Sequence, residues 1–444
     1  MAIASRFPDI DIPDRTLPQF VLDNAAGGDH PAIVDGASGR TITYANLHEG
    51  GRRLAAGLAG HGLGRGDVLA VMMPNQPELA VIYHGALTAG GVLTMLRPMA
   101  DVREVAAQLN ATHARFVVTI PSLLPIAHAA AETAHVERVF VVDTAEGAAA
   151  FGDLLAHADA LPPVPLDPAR DPAVLLYYSS STTGLSRVAR LTHHALVAAV
   201  RQVEALAPVG PSERLICPIP FTHLAGQTLG MNQTLRAGAT VVVLPEFDLG
   251  SYLALIQQHR VTTALAAPPV VLALAADPLV DRYDLSSLER ILCAVAPLSR
   301  RRQSACGQRM GRWVGQCYGE AGTGLILAIS PTDARAAPPG SAGMLVPNTQ
   351  ARVVDPGTGV DVGAGAIGEL WVRGPQLMDG DVDGPPTTVT APDDRWLRTG
   401  DLVRFDAEGW IFVVDRLTST IVREGWLYAQ DRAGSTGWPS EETP

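Results

Sequence analysis

The 444-residue sequence contains no lysine, and all 33 of its basic residues are arginine. On a solvated surface that exchange costs little. At a reacting centre it removes the compact ammonium point charge and leaves only the planar guanidinium fork. Cysteine is scarce too: Cys217, Cys293, Cys306 and Cys317 stand singly, without a CxxC pair or zinc spacing. This excludes a disulfide framework and a cysteine-bound metal, and the apolar or small-residue surroundings of three of them predict buried, reduced thiols. Positive charge is in deficit, with a net charge of -12 and no run of basic residues interleaved with aromatics. No nucleic-acid partner is expected. No apolar run reaches membrane-spanning length, and the opening "MAIASRFPDIDIPDRT" has an early proline and several acids. The expectation is a cytoplasmic chain with no signal peptide and no membrane partner.

What is present is a large apolar fraction, 47% of residues, with 43 glycines and 34 prolines. A chain of this length and composition is a multi-domain globular protein rather than a disordered or fibrous one. In "TITYANLHEGGRRLAAGLAGHGL" the residues Leu47, Leu54, Leu58 and Leu63 recur at helix-compatible spacing, and "GRGDVLAVMMPN" follows as a buried strand. The alternation returns at "HARFVVTI", "VERVFVVD", "ATVVVLPEFD", "VTTALAAPP" and "LERILCAVAP", which predicts an α/β fold of mostly parallel sheets covered by helices. From about 340 to 415 the texture changes to short strands between Gly, Pro and Asp turns, read as a small antiparallel β-barrel unit. The domain expectation is a large unit over 1–415 and a short remainder, 416–444, ending in a polar tail.

One stretch carries chemistry on its face. "YYSSSTTGLSRVARLTHH" follows the apolar run "AVLLYY" and precedes a helical pattern for which Thr192 is the N-cap. Ser179, Ser180, Ser181, Thr182, Thr183 and Gly184 are thereby placed in a strand-to-helix connection, where backbone amides and hydroxyls can surround an anion. An ordinary Ser/Thr turn that caps the helix is the alternative reading of the same residues.

With its companions, this stretch resembles the adenylate-forming superfamily, in particular the acyl-CoA synthetase and 4-coumarate-CoA ligase-like branch. Tyr178, Ser180, Thr182, Thr183, Gly184, Leu185, Leu191, Thr192 and His193 keep the order of the family's phosphate loop. "PFTHLAG", "GQCYG", "WLRTGD" and "FVVDRL" resemble further blocks, and the collinear likeness spans about residues 16 to 426. The resemblance implies a domain of two helix-covered sheets with a small β-barrel, and an acid-thiol ligase reaction. A carboxylate attacks the α-phosphate of ATP, pyrophosphate leaves, and the acyl group passes from the adenylate to the thiol of CoA. Charge neutralisation and positioning dominate such phosphoryl chemistry.

Site roles follow from the same resemblance. Asp401 would hold the ribose and Arg416 the ribose or a phosphate, while Ala294, Val295, Ala296 and Pro297 with Gln316, Cys317, Tyr318 and Gly319 would flank the adenine, Tyr318 by stacking on it. His223, Cys293 and Thr323 would line the acid pocket. His223, Glu320 and Arg187 are the catalytic candidates, and Glu320 is the magnesium candidate under one of two alignments of the missing MTE triplet. The departures concentrate on the pyrophosphate side. Ser181 stands at a glycine position, Arg187 at the loop lysine, Ser186 at the proline and Val188 at the following glycine. The resemblance fades after "REGW", where the family's mobile lid with its catalytic lysine would begin, so the expectation is a chain without that lid.

Three readings stay open at this level. The first is a conventional ATP-dependent acyl-CoA synthetase. The second is an enzyme impaired in adenylation that makes a thioester from an acyl-adenylate supplied by a separate adenylating enzyme. The third is a non-catalytic relative that binds an acid or nucleotide.

Overall fold

Runs such as Val68–Met72 are buried at every position, as strands must be when helices cover both faces of a parallel sheet. The computed structural model describes residues 2–23, 28–156, 164–179, 186–334, 336–382, 396–417, 420–423 and 426–429. Among them, one eight-stranded sheet runs in the order Gly380–Asp381, Ser186–Thr192, Pro172–Ser179, Val92–Leu96, Val68–Met72, Ala114–Thr119, Arg138–Val141, Ala149–Ala150. Its pairings are parallel from Pro172–Ser179 onward and antiparallel at the end that carries Ser186–Thr192. A nine-stranded sheet is parallel through its centre, from Pro31–Asp35 across to Trp313–Glu320. It turns antiparallel where Gly324–Ala328 folds back on Trp313–Glu320.

The helices between strands are laid down by local signals. Tyr44–Gly60 starts where the Thr43 hydroxyl accepts the Asn46 amide, and it buries Leu47, Leu54 and Leu58. Leu63 is buried beyond the end of that helix. Across the 340–415 region, Gln350–Val354, Ile367–Arg373, Leu397–Phe405 and Ile411–Arg416 build a five-stranded antiparallel sheet whose edge strand, Ile3–Ala4, comes from the other end of the chain. Two residues carry no period, so a strand this short leaves no signal in the pattern.

One expectation is corrected. The hydroxyl-rich stretch joins two strands, because Ser186–Thr192 pairs antiparallel with Pro172–Ser179 before the helix His193–Leu206 begins. Val188, Ala189 and Leu191 are buried there while Arg187 and Arg190 reach distant carboxylates, so the arginines hid a strand. Thr192 caps the helix as expected, accepting the Ala195 amide at 3.2 Å. Cys217, Cys293 and Cys306 are buried and all four thiols are unpaired; burial pushes Cys217 and Cys317 up to about 12 and Cys306 to about 11. Among the described residues no helix is long and apolar enough to cross a membrane.

Candidate functional site

Five elements converge on the candidate site, and we label them in chain order: β1 (Pro172–Ser179), β2 (Ser186–Thr192), β3 (Trp313–Glu320), β4 (Leu397–Phe405) and β5 (Ile411–Arg416). The β3 strand brings up Gln316 to Glu320. The Gln316 amide clasps Leu298, accepting its N–H at 2.8 Å and donating to its carbonyl at 2.9 Å. This pins the turn made by Ala294, Val295, Ala296 and Pro297 against β3. Val295 adopts φ 80°, a left-handed conformation rare for a β-branched residue, and its side chain is half exposed. Gly319 is required by packing: a Cβ there would lie 1.9 Å from the Gly324 carbonyl oxygen.

Asp401 and Arg416 face each other as register partners on β4 and β5, which makes their ion pair a consequence of sheet geometry. Arg416 Nε donates to Asp401 Oδ1 at 2.7 Å, and the Tyr318 hydroxyl donates to Asp401 Oδ2, also at 2.7 Å. The Arg416 guanidinium also donates to the Glu320 carboxylate. Two carboxylates thus share one arginine. Burial first, then the Asp401 charge, pushes the Glu320 carboxyl above the usual range, with Arg416 opposing. Burial, then Asp401, raises the Tyr318 hydroxyl, which keeps it a donor.

Beside this network lies a pocket of about 30 Å³, lined among others by His223, Thr228, Val295, Cys317, Gly319 and Glu320. His223 Nδ1 accepts the Ala225 amide at 3.1 Å, and burial lowers the ring's pKa. The imidazole is therefore neutral, with Nε2 carrying the proton. Cys293 and Thr323 lie outside the lining: Cys293 is buried behind it, and the Thr323 hydroxyl accepts the Glu320 amide at 2.8 Å, shaping the turn of the hairpin. Arg187 stands at the start of β2 and donates to Asp381 at 3.1 Å. Ser180, Ser181, Thr182, Thr183 and Gly184 lie outside the described residues, as does the Ser179 side chain, whose backbone ends β1 opposite Ser186.

Magnesium finds a poor fit at Glu320, because its carboxylate is engaged by Arg416 and its environment favours the protonated form. Among the described residues no group of three or more His, Cys, Asp or Glu side chains is arranged to hold a metal ion. Sequence reasoning missed Asp381 and took Tyr178 only as a motif match. Acids flanking Gly380 in "MDGDVDG" were the available signal.

Residues 22–380 match the profile of the AMP-binding enzymes. The chain is 35% identical over 443 residues to a 4-coumarate–CoA ligase of Oryza sativa subsp. japonica, covering 94% of this chain and 78% of that protein. Among solved structures it is similar to ATP-bound MatB from Rhodopseudomonas palustris, with a TM-score of 0.83, 26% identity, and coverage of 94% and 82% of the two chains. A luciferase-like enzyme of the mealworm Zophobas morio shares the fold, with a TM-score of 0.87 at 21% identity over 94% of this chain and 99% of that one.

Proposed function

The chain belongs to the AMP-binding enzyme family, on its acyl-CoA ligase branch, and from that premise we propose that it binds a carboxylic acid as the acyl-adenylate and serves thioester formation, with its ATP-consuming step weakened. Enzymes of this family work with ATP and CoA. The observation that carries the reading is the convergence of Asp401, Tyr318, Arg416 and Glu320 beside the pocket that His223 lines.

In this reading the two Asp401 oxygens accept the ribose hydroxyls, for which a carboxylate with two acceptor atoms is suited. The turn from Ala294 to Pro297 and the strand from Gln316 to Gly319 flank the base. The acyl carbonyl sits at the pocket, and His223 Nε2–H donates toward its oxygen. A thiol sulfur attacks the carbonyl carbon, the bond from carbon to the phosphate oxygen breaks, AMP leaves, and the thiol proton passes to solvent. CoA is the thiol the family implies, and a separate adenylating enzyme would supply the adenylate. No step here runs through magnesium.

Calorimetric titration with ATP–magnesium and, separately, with non-hydrolysable acyl-adenylate mimics of several acyl groups tests the reading. Tight binding of a mimic with weak binding of ATP is expected. Tight ATP binding would restore a conventional synthetase, and no binding of either would leave a non-catalytic relative.

A further inference from the structure

We propose that Asp381 is a positioning residue that clasps the Arg187 guanidinium and withholds it from the β- and γ-phosphates of a bound nucleotide. The inference rests on reading the site as a nucleotide site.

The clasp is built into the sheet. Tyr178 and Arg187 are register partners on β1 and β2, so both side chains project from one face. Asp381 pairs with Ala189, two residues along from Arg187, which puts its carboxylate on that same face. The Asp381 side chain is 3% exposed. Its Oδ1 accepts the Tyr178 hydroxyl at 3.0 Å and its Oδ2 accepts Arg187 Nη1 at 3.1 Å. Both carboxylate oxygens are therefore engaged. The register is locked on either side: the Asp379 amide donates to the Arg190 carbonyl at 2.9 Å, the Val382 amide to the Val188 carbonyl at 3.0 Å. A second bridge joins Arg190 to Asp379 at 2.8 Å.

The rung lies close to the nucleotide network. Burial raises the Tyr178 hydroxyl pKa, and the charges of Asp381 and then Glu320 add to it, so Glu320 acts on the same rung. Arg187 follows directly on the hydroxyl-rich stretch and, at 26% exposure, is open to a ligand. An arginine that is paired with a buried carboxylate adds little net charge for a polyanion, and transfer from a polyphosphate depends on charge neutralisation. To engage Arg187, a β- or γ-phosphate oxygen must displace Asp381 and leave that carboxylate with Tyr178 alone. AMP has no such phosphates and escapes the competition. The site is therefore biased toward the monophosphate and the adenylate.

The test is calorimetric titration of the full chain with AMP, with metal-free ATP and with inorganic pyrophosphate, for the parent, Asp381→Asn, and Asp381→Asn combined with Arg187→Gln. The single variant should raise ATP affinity relative to AMP about tenfold, the worth of one partly exposed charge-assisted hydrogen bond. The double variant should return the ratio to the parent value, a reversal that a merely structural role would not produce. A ratio that stays put in the single variant, or rises as much in the double, overturns the assignment while AMP binding still upholds the nucleotide reading. If AMP binds no form, the reading and this assignment fall together. Should Asp381→Asn fail to fold by thermal unfolding, Asp381→Ser, which leaves room for water at Tyr178, is held to the same ratio.

Discussion

Replacing Arg416 by Gln removes the one positive charge that, among the described residues, is bonded to both Asp401 and Glu320. Breaking a buried pair from one side costs about 3–5 kcal/mol. Asp401 is 6% exposed but the arginine is 39% exposed, so solvent screening reduces the expected loss to about 2 kcal/mol. The loss should depend on pH. Without the guanidinium, Glu320 is pushed further above its ordinary range, and a carboxyl raised in the folded state stabilises below its unfolded pKa and loses that contribution as pH rises through the folded value. Urea unfolding of Arg416→Gln should therefore show a larger deficit at pH 8.5 than at pH 6. Adding Glu320→Gln should flatten that slope. A loss below about 0.5 kcal/mol, or one that is equal at both pH values, would refute the view that one arginine serves both carboxylates.

Gly319→Ala forces a Cβ to 1.9 Å from a backbone oxygen, and overpacking of this kind should lower unfolding free energy by about 3 kcal/mol; a change under about 1 kcal/mol would count against the hairpin geometry. Val295→Gly relieves a left-handed backbone at φ 80°, and denaturant midpoints should rise by about 1 kcal/mol equivalent, with a fall showing that the side chain packs rather than strains. His84 is buried with neither ring nitrogen hydrogen-bonded among the described residues, and burial lowers its pKa from 6.5 to about 3; burial likewise takes His193 to about 4. Since both folded values lie below the unfolded one, stability is complete above pH 6.5 and drains as pH falls, by about 2 kcal/mol per histidine on reaching pH 5. His84→Leu should halve this pair's contribution to the pH slope, and an unchanged slope would contradict it.

The parallel strands were legible because continuous apolar runs such as Val68–Met72 admit few alternatives. The strand Ser186–Thr192 was not, because Arg187 and Arg190 interrupt its apolar pattern and the carboxylates that satisfy them lie 194 and 189 residues away. At the site, Asp401 and Arg416 could be singled out by motif, but their direct opposition is a matter of register between two strands. Tyr318 was read for its ring, and its hydroxyl proves to be a hydrogen-bond partner of Asp401. Asp381 escaped notice since an acid in a glycine-rich turn is unremarkable until the fold brings it to β2.

Two successive amides near that acid point opposite ways. Met378 N–H donates to the Gly322 carbonyl at 2.8 Å, in the turn beyond β3, while Asp379 N–H donates to Arg190 on β2 at 2.9 Å. Two consecutive peptide units thus work as a rivet between the arm that carries Tyr318 and Glu320 and the arm that carries Arg187. Neither arm can slide by a residue without shearing one of those bonds, so the spacing between the two halves of the site is set by a single stretch of backbone and not by the side chains that face each other across it.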